Sequence, residues 1–130
     1  MPFYHYLWLL IMPIISVQTN ITLDNQQQEQ LLTTVTDATS EALATDKTRI
    51  DVVLQILQPQ VAMIGGVHQR PYVRFSVEML AGRTRETKQN LVKRYYDVAQ
   101  NITPGTEPDV KTIIRDLQRS DLALGDTLLE

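Results

Sequence analysis

The chain has 130 residues, 43% of them hydrophobic and 21% charged, with a formal net charge of −3 and a pI near 5.3. That length fits one domain with a real core, and the acidic balance disfavours nucleic acid as the main partner. The absence of cysteine excludes disulfides and thiolate metal sites, and the two histidines, His5 and His68, are too far apart in sequence to suggest a His-rich metal centre.

The first element is an apolar stretch over residues 2–17, PFYHYLWLLIMPIISV. It is shorter than the roughly 20 residues that a spanning helix needs. It has no basic leading region, no A-x-A-like cleavage site follows, and Pro13 interrupts it. It therefore reads as Met1–Ile11, an N-terminal extension, followed by a first strand over Ile14–Val17. No membrane association is expected, and the location expected is cytoplasmic.

Asp24 is placed to cap a helix, with Gln27 three residues on completing a capping-box pair. Leu31, Leu32, Val35, Ala38, Thr39, Ala42 and Leu43 then recur at helical spacing. Ile50–Leu57 is rich in β-branched residues and ends before Pro59, and Gly65-Gly66 marks a turn. Tyr72–Leu80 alternates, with Val73, Phe75 and Val77 on one face and Arg74, Ser76 and Glu78 on the other. Gly82-Arg83-Thr84 turns the chain, and Thr84 can cap a second helix whose apolar stripe is Leu91, Val92, Tyr95, Val98, Ala99 and Ile102. Thr103-Pro104-Gly105 and Pro108 end it. Val110–Leu117 is the last long strand, and Leu122–Leu129 a short strand or tail.

This order repeats. A shift of 60 residues lays Ser16-Val17 on Ser76-Val77, Leu31 on Leu91, Asp37 on Asp97, Leu57-Gln58 on Leu117-Gln118 and Gly65 on Gly125. Apolar positions agree better than identities do. Two copies make a duplicated motif rather than a solenoid: repeat one over 13–66 and repeat two over 73–125, within a single domain over 12–130. A helical crossover makes the two strands of each β-α-β unit parallel and right-handed. The expected fold is α/β (α+β), a four-stranded sheet with two helices on one face. The other sheet face is expected to be apolar and uncovered, which predicts oligomerisation through it.

Two tandem β-α-β units, Met12-Pro13 opening the first strand and Gly82-Arg83-Thr84 opening the second helix together resemble the tautomerase superfamily. Thr36-Asp37-Ala38, Ile64-Gly65-Gly66, the strand Val73–Glu78 and Lys88 add weaker matches. The resemblance covers residues 12–125 and is nearest the fused, double-length members of the cis-3-chloroacrylic acid dehalogenase-like branch. It implies a tautomerase/MIF-like fold, a homotrimer, and cofactor- and metal-independent chemistry on a small anionic substrate.

In that superfamily an N-terminal proline, exposed by removal of the initiator methionine, is the general base or acid. Burial beside cations lowers the pKa of such an amine toward working pH. The resemblance then implies Pro13 as the catalytic amine of a chain beginning at Met12. Arg83 would bind the substrate carboxylate and stabilise an enolate. Arg74 would be a second carboxylate-binding guanidinium. Asp116 falls where the dehalogenase-like branch has a water-activating glutamate. Thr39 stands where that branch has a helix histidine, and Leu80 where it has a further arginine. Asp51 and Lys111 occupy the positions of another arginine in the short 4-oxalocrotonate tautomerases. The reaction implied is keto–enol tautomerisation of a carboxylate-bearing enol or unsaturated acid. The alternatives are hydratase- or dehalogenase-type water addition, and a non-catalytic trimeric relative.

Overall fold

The computed structural model describes residues 13–129, so the expected extension over Met1–Ile11 lies outside the described residues. Strand β1 (Ile14–Thr19) leads into helix α1 (Asn25–Leu43), which returns the chain to β2 (Asp51–Ile56). A small hairpin follows, β3 (Met63–Ile64) and β4 (Val67–His68). The plan then recurs as β5 (Tyr72–Leu80), helix α2 (Arg85–Gln100), β6 (Asp109–Leu117) and a second hairpin, β7 (Ala123–Leu124) and β8 (Thr127–Leu128). The segment read as a short strand or tail is this second hairpin.

The helix starts follow from their caps. The Asp24 carboxylate accepts the Gln27 N–H at 2.8 Å, and the Gln27 side chain accepts the Asp24 N–H at 2.9 Å. This reciprocal pair satisfies two donors that have no partner within the helix. Thr84 performs the first half of the same task for α2, accepting the Thr87 N–H at 3.1 Å. At the β3–β4 turn Gly65 and Gly66 have φ of +59° and +79°. Two successive left-handed residues give the tight twist of a two-residue hairpin, and glycine adopts them without strain.

The sheet has the strand order β2-β1-β5-β6. Strands β1 and β2 are parallel, as are β5 and β6, while β1 and β5 meet antiparallel. In that central pair Ser16 stands opposite Ser76, its own repeat equivalent. A local two-fold axis therefore passes through this serine pair, and the beginning of β1 lies beside the end of β5.

Both helices pack on one face of this sheet. Ile15, Val17, Val73, Phe75 and Val77 meet Leu31, Val35, Leu91 and Tyr95 in a continuous core. Tyr95 lies stacked on Phe75 with centroids 4.6 Å apart. Its hydroxyl donates to Thr39 Oγ1 at 2.6 Å, and Thr39 donates in turn to the Val35 carbonyl at 2.7 Å. One polar chain thus joins the two helices across the seam between the repeats.

The opposite face is exposed, but it is not apolar as expected. Its rows run Asp51, Ile14, Glu78, Arg115; then Val53, Ser16, Ser76, Ile113; then Gln55, Gln18, Arg74, Lys111. Charged and amide residues flank a narrow apolar stripe at Val53 and Ile113, which are 62% and 42% exposed. The reason is the period of two. The apolar runs in β2 and β6 supply adjacent pairs, Val52-Val53 and Ile113-Ile114, so one of each pair must face outward.

Candidate active site

Pro13 enters β1 fully buried. Its carbonyl accepts the Asp51 N–H at 3.2 Å, which anchors it to the start of β2. Proline costs no ladder bond at a strand entry, because it has no N–H to donate. Ile14 pairs with Glu78, so the antiparallel register continued by one residue sets Pro13 opposite Met79. Met79 pairs in turn with Asp116. Pro13, Met79 and Asp116 form one row across three strands on the helix-covered face. At the usual strand spacing the outer two lie about 10 Å apart.

Arg83 stands at the same end of the sheet. The Ala81 N–H donates to the Leu117 carbonyl at 2.9 Å, carrying the β5–β6 ladder one residue past Leu80. Gly82, at φ +124°, then turns the chain toward α2. Arg83 is partly buried, and its Nη1 donates to the Leu43 carbonyl at 3.1 Å, the last residue of α1. A cation at the start of α2 would conflict with the positive end of that helix dipole. The conflict is relieved by the negative end of the antiparallel neighbour. Burial lowers the Arg83 pKa from its ordinary value, but a guanidinium stays charged at any working pH. Arg83 lines a shallow depression with Leu43, Ala44, Leu80, Gly82 and Thr87.

Asp116 is not open to this end by itself. Its Oδ2 accepts from Lys88 Nζ at 2.7 Å, with the two side chains 37% and 29% exposed. Lys88 was legible only as part of a motif beside Gly82-Arg83-Thr84. Its partner, 28 residues along the chain, is fixed by the α2–β6 packing.

The fold brings Pro13, Arg83 and Asp116 to one end of the sheet and does not bring Arg74 there within one chain. Arg74 projects from the opposite face of β5, five residues along the strand from Met79. It lies over the Tyr72 ring at 5.6 Å, beside Gln18 in the register. Tyr72 donates to Gln18 and Gln18 to Gln55, which knits this row together. Thr39 is committed to the core bond with Tyr95 and does not reach the sheet end. His68 is exposed, with its Nε2 2.9 Å from the Gln60 carbonyl. Among the described residues there is no cluster of metal-ligating side chains and no helix long and apolar enough to cross a membrane.

No protein-family model matches the sequence, and no curated protein matches it significantly. Solved structures do match the fold. A fused 4-OT, described as a wild-type symmetric trimer, superposes with a TM-score of 0.82 at 21% identity, over 90% of this chain and 97% of that one. FG41 malonate semialdehyde decarboxylase, in a complex inhibited by 3-bromopropiolate, gives 0.70 at 27% identity over 87% and 89%. Macrophage migration inhibitory factor of Toxoplasma gondii gives 0.78 at 19% identity over 90% and 100%. The two helices on one face of a mixed four-stranded sheet, with two β-α-β units joined antiparallel, are common ground with these neighbours, and the chain has the tautomerase-superfamily fold.

Proposed function

We propose that the protein is a cofactor-independent tautomerase acting on a small carboxylate-bearing enol or α,β-unsaturated acid. The single observation that carries this reading is the convergence of Pro13, Arg83 and Asp116 at one end of the sheet. The Pro13 nitrogen, once it is a free secondary amine, takes a proton from the enol oxygen or the α-carbon and returns it at the other position. Burial destabilises its protonated form and poises it as a base near neutral pH. Arg83 binds the substrate carboxylate and stabilises the enolate as charge develops on the carbonyl oxygen. Arg74 reaches substrate only from a neighbouring copy, so the reading includes a homotrimer built on the exposed sheet face. Two fused 4-OT neighbours described as symmetric trimers support a trimeric assembly.

The runner-up is water addition to an unsaturated acid, with protonated Pro13 as acid and Asp116 as the base that activates water. The row shared by Pro13 and Asp116 favours it, and the Lys88 ion pair on Asp116 weighs against it. A non-catalytic trimeric relative is the third reading.

The test compares protein begun at Met12, whose methionine is removed, with the full chain and with Pro13→Ala. Ketonisation of phenylenolpyruvate or 2-hydroxymuconate is followed by absorbance. The processed protein is expected to turn over substrate, and the other two are expected to lose at least a hundredfold. A rate at the buffer level in protein whose mass shows Pro13 as the first residue refutes the assignment. Turnover of an unsaturated acid that vanishes in Asp116→Asn selects hydration instead.

A further inference from the structure

We propose that Lys88 is a positioning residue for the anion site at the Pro13 end. It holds Asp116 as a neutral pair and leaves the Arg83 guanidinium as the charge that meets an anionic ligand. The inference rests on the reading that this end of the sheet takes a carboxylate.

The placement of Lys88 is unfavourable by itself. Its N–H donates to the Thr84 carbonyl at 3.1 Å, so it sits just past the first turn of α2, near the positive end of the helix dipole. A cation there calls for a compensating acid, and Asp116 supplies one from the end of β6. Partial exposure of both side chains makes the pair a weak source of stability. Its effect on the local field is larger. The Ala81–Leu117 hydrogen bond ties the turn that carries Arg83 to the residue following Asp116. A carboxylate left unpaired at Asp116 would therefore add a negative charge to the end of the sheet that carries Arg83. Two unit charges about 10 Å apart in a partly desolvated setting change an equilibrium by about tenfold. The repeat shows the same specialisation. The position equivalent to Lys88 in the first half is Gln28, and that equivalent to Asp116 is Ile56. Gln28 donates to the Leu23 carbonyl instead, so the first half carries neither charge.

Binding of an unreactive dianion separates this role from a structural one. Maleate is titrated into the full chain and followed by amide NMR shifts, with dimethyl maleate as the uncharged control. Lys88→Met is expected to weaken maleate binding about tenfold, Lys88→Arg to retain it, and Asp116→Asn to strengthen it. The double variant Lys88→Met/Asp116→Asn is expected to return to wild-type affinity, with the diester indifferent throughout. Unchanged affinity in Lys88→Met, no recovery in the double variant, or no maleate binding by the wild type overturns the proposal. If Lys88→Met fails to fold, the Lys88→Arg and Asp116→Asn responses decide it. Maleate binding in this pattern without tautomerisation by the processed protein leaves Lys88 assigned and removes the Pro13 chemistry. Tautomerisation with a Lys88→Met variant that binds maleate normally removes Lys88 alone.

Discussion

Tyr95→Phe removes one oxygen from the centre of the molecule and nothing else. The ring remains on Phe75, so the stacking and the apolar burial are retained. Thr39 still donates to the Val35 carbonyl, so only its acceptor side loses a partner. The expected loss is one buried hydrogen bond plus an incompletely satisfied hydroxyl, about 1–2 kcal/mol. For a chain of this length that lowers Tm by about 4–8 °C. Thr39→Val in the same background makes both partners apolar, and the double variant is expected to recover part of the loss, a non-additivity that a double-mutant cycle reads directly. A pH arm gives a second check. Burial raises the Tyr95 pKa well above the ordinary value near 10. The unfolded chain ionises this phenol first. The stability it contributes is complete below pH 10 and is lost as pH rises through the folded-state pKa. Melts of wild type and Tyr95→Phe at one protein concentration are thus expected to converge above pH 10. A Tyr95→Phe variant as stable as wild type at pH 7 would refute the buried Tyr95–Thr39 bond, and curves that stay parallel to pH 11 would refute the burial of its hydroxyl.

Arg83→Met is expected to raise KM for a carboxylate substrate about tenfold or more, the weight of a lost charge-assisted hydrogen bond, as steady-state kinetics of the processed protein would show. Asp24→Ala removes the α1 cap and is expected to cost about 1 kcal/mol in urea unfolding. Gly66→Ala is expected to cost a similar amount in a thermal melt. An added Cβ there meets no atom within 4 Å, so the whole cost is backbone strain at φ +79°. Val53→Lys breaks the apolar stripe on the open sheet face and is expected to shift sedimentation toward the protomer while far-UV circular dichroism stays unchanged.

Elements governed by neighbours in sequence were legible in sequence. The Asp24–Gln27 box, the Thr84 cap and the bounds of Tyr72–Leu80 each depend on contacts a few residues apart, and the structure places them where the residues point. The character of the open sheet face was not legible from runs such as Val52–Leu54 and Ile113-Ile114, because an unbroken apolar run does not declare which member faces outward. Of the candidate site, only part of the geometry was legible. Motif order led to Pro13, Arg83 and Asp116, whereas the acceptor for Arg83 lies 40 residues away and the Lys88–Asp116 pair spans two elements. Those partners depend on how α1, α2 and β6 pack, which no local pattern encodes. The alternation of Tyr72–Leu80 puts Arg74 on the outward face of its strand, but its distance from Pro13 follows from the antiparallel join at Ser16 and Ser76.

That join has an evolutionary corollary. Because the two halves meet head to tail, Pro13 of the first lies at the same end of the sheet as the Gly82-Arg83-Thr84 turn of the second. Neither half alone supplies both residues. A single polypeptide lets the two copies diverge, and Arg83, Lys88 and Asp116 all fall in the trailing one. At the far end of the sheet, the corner related by the local two-fold has Leu23 buried where its counterpart has Arg83, so that corner is closed by the core and offers an anion no cation.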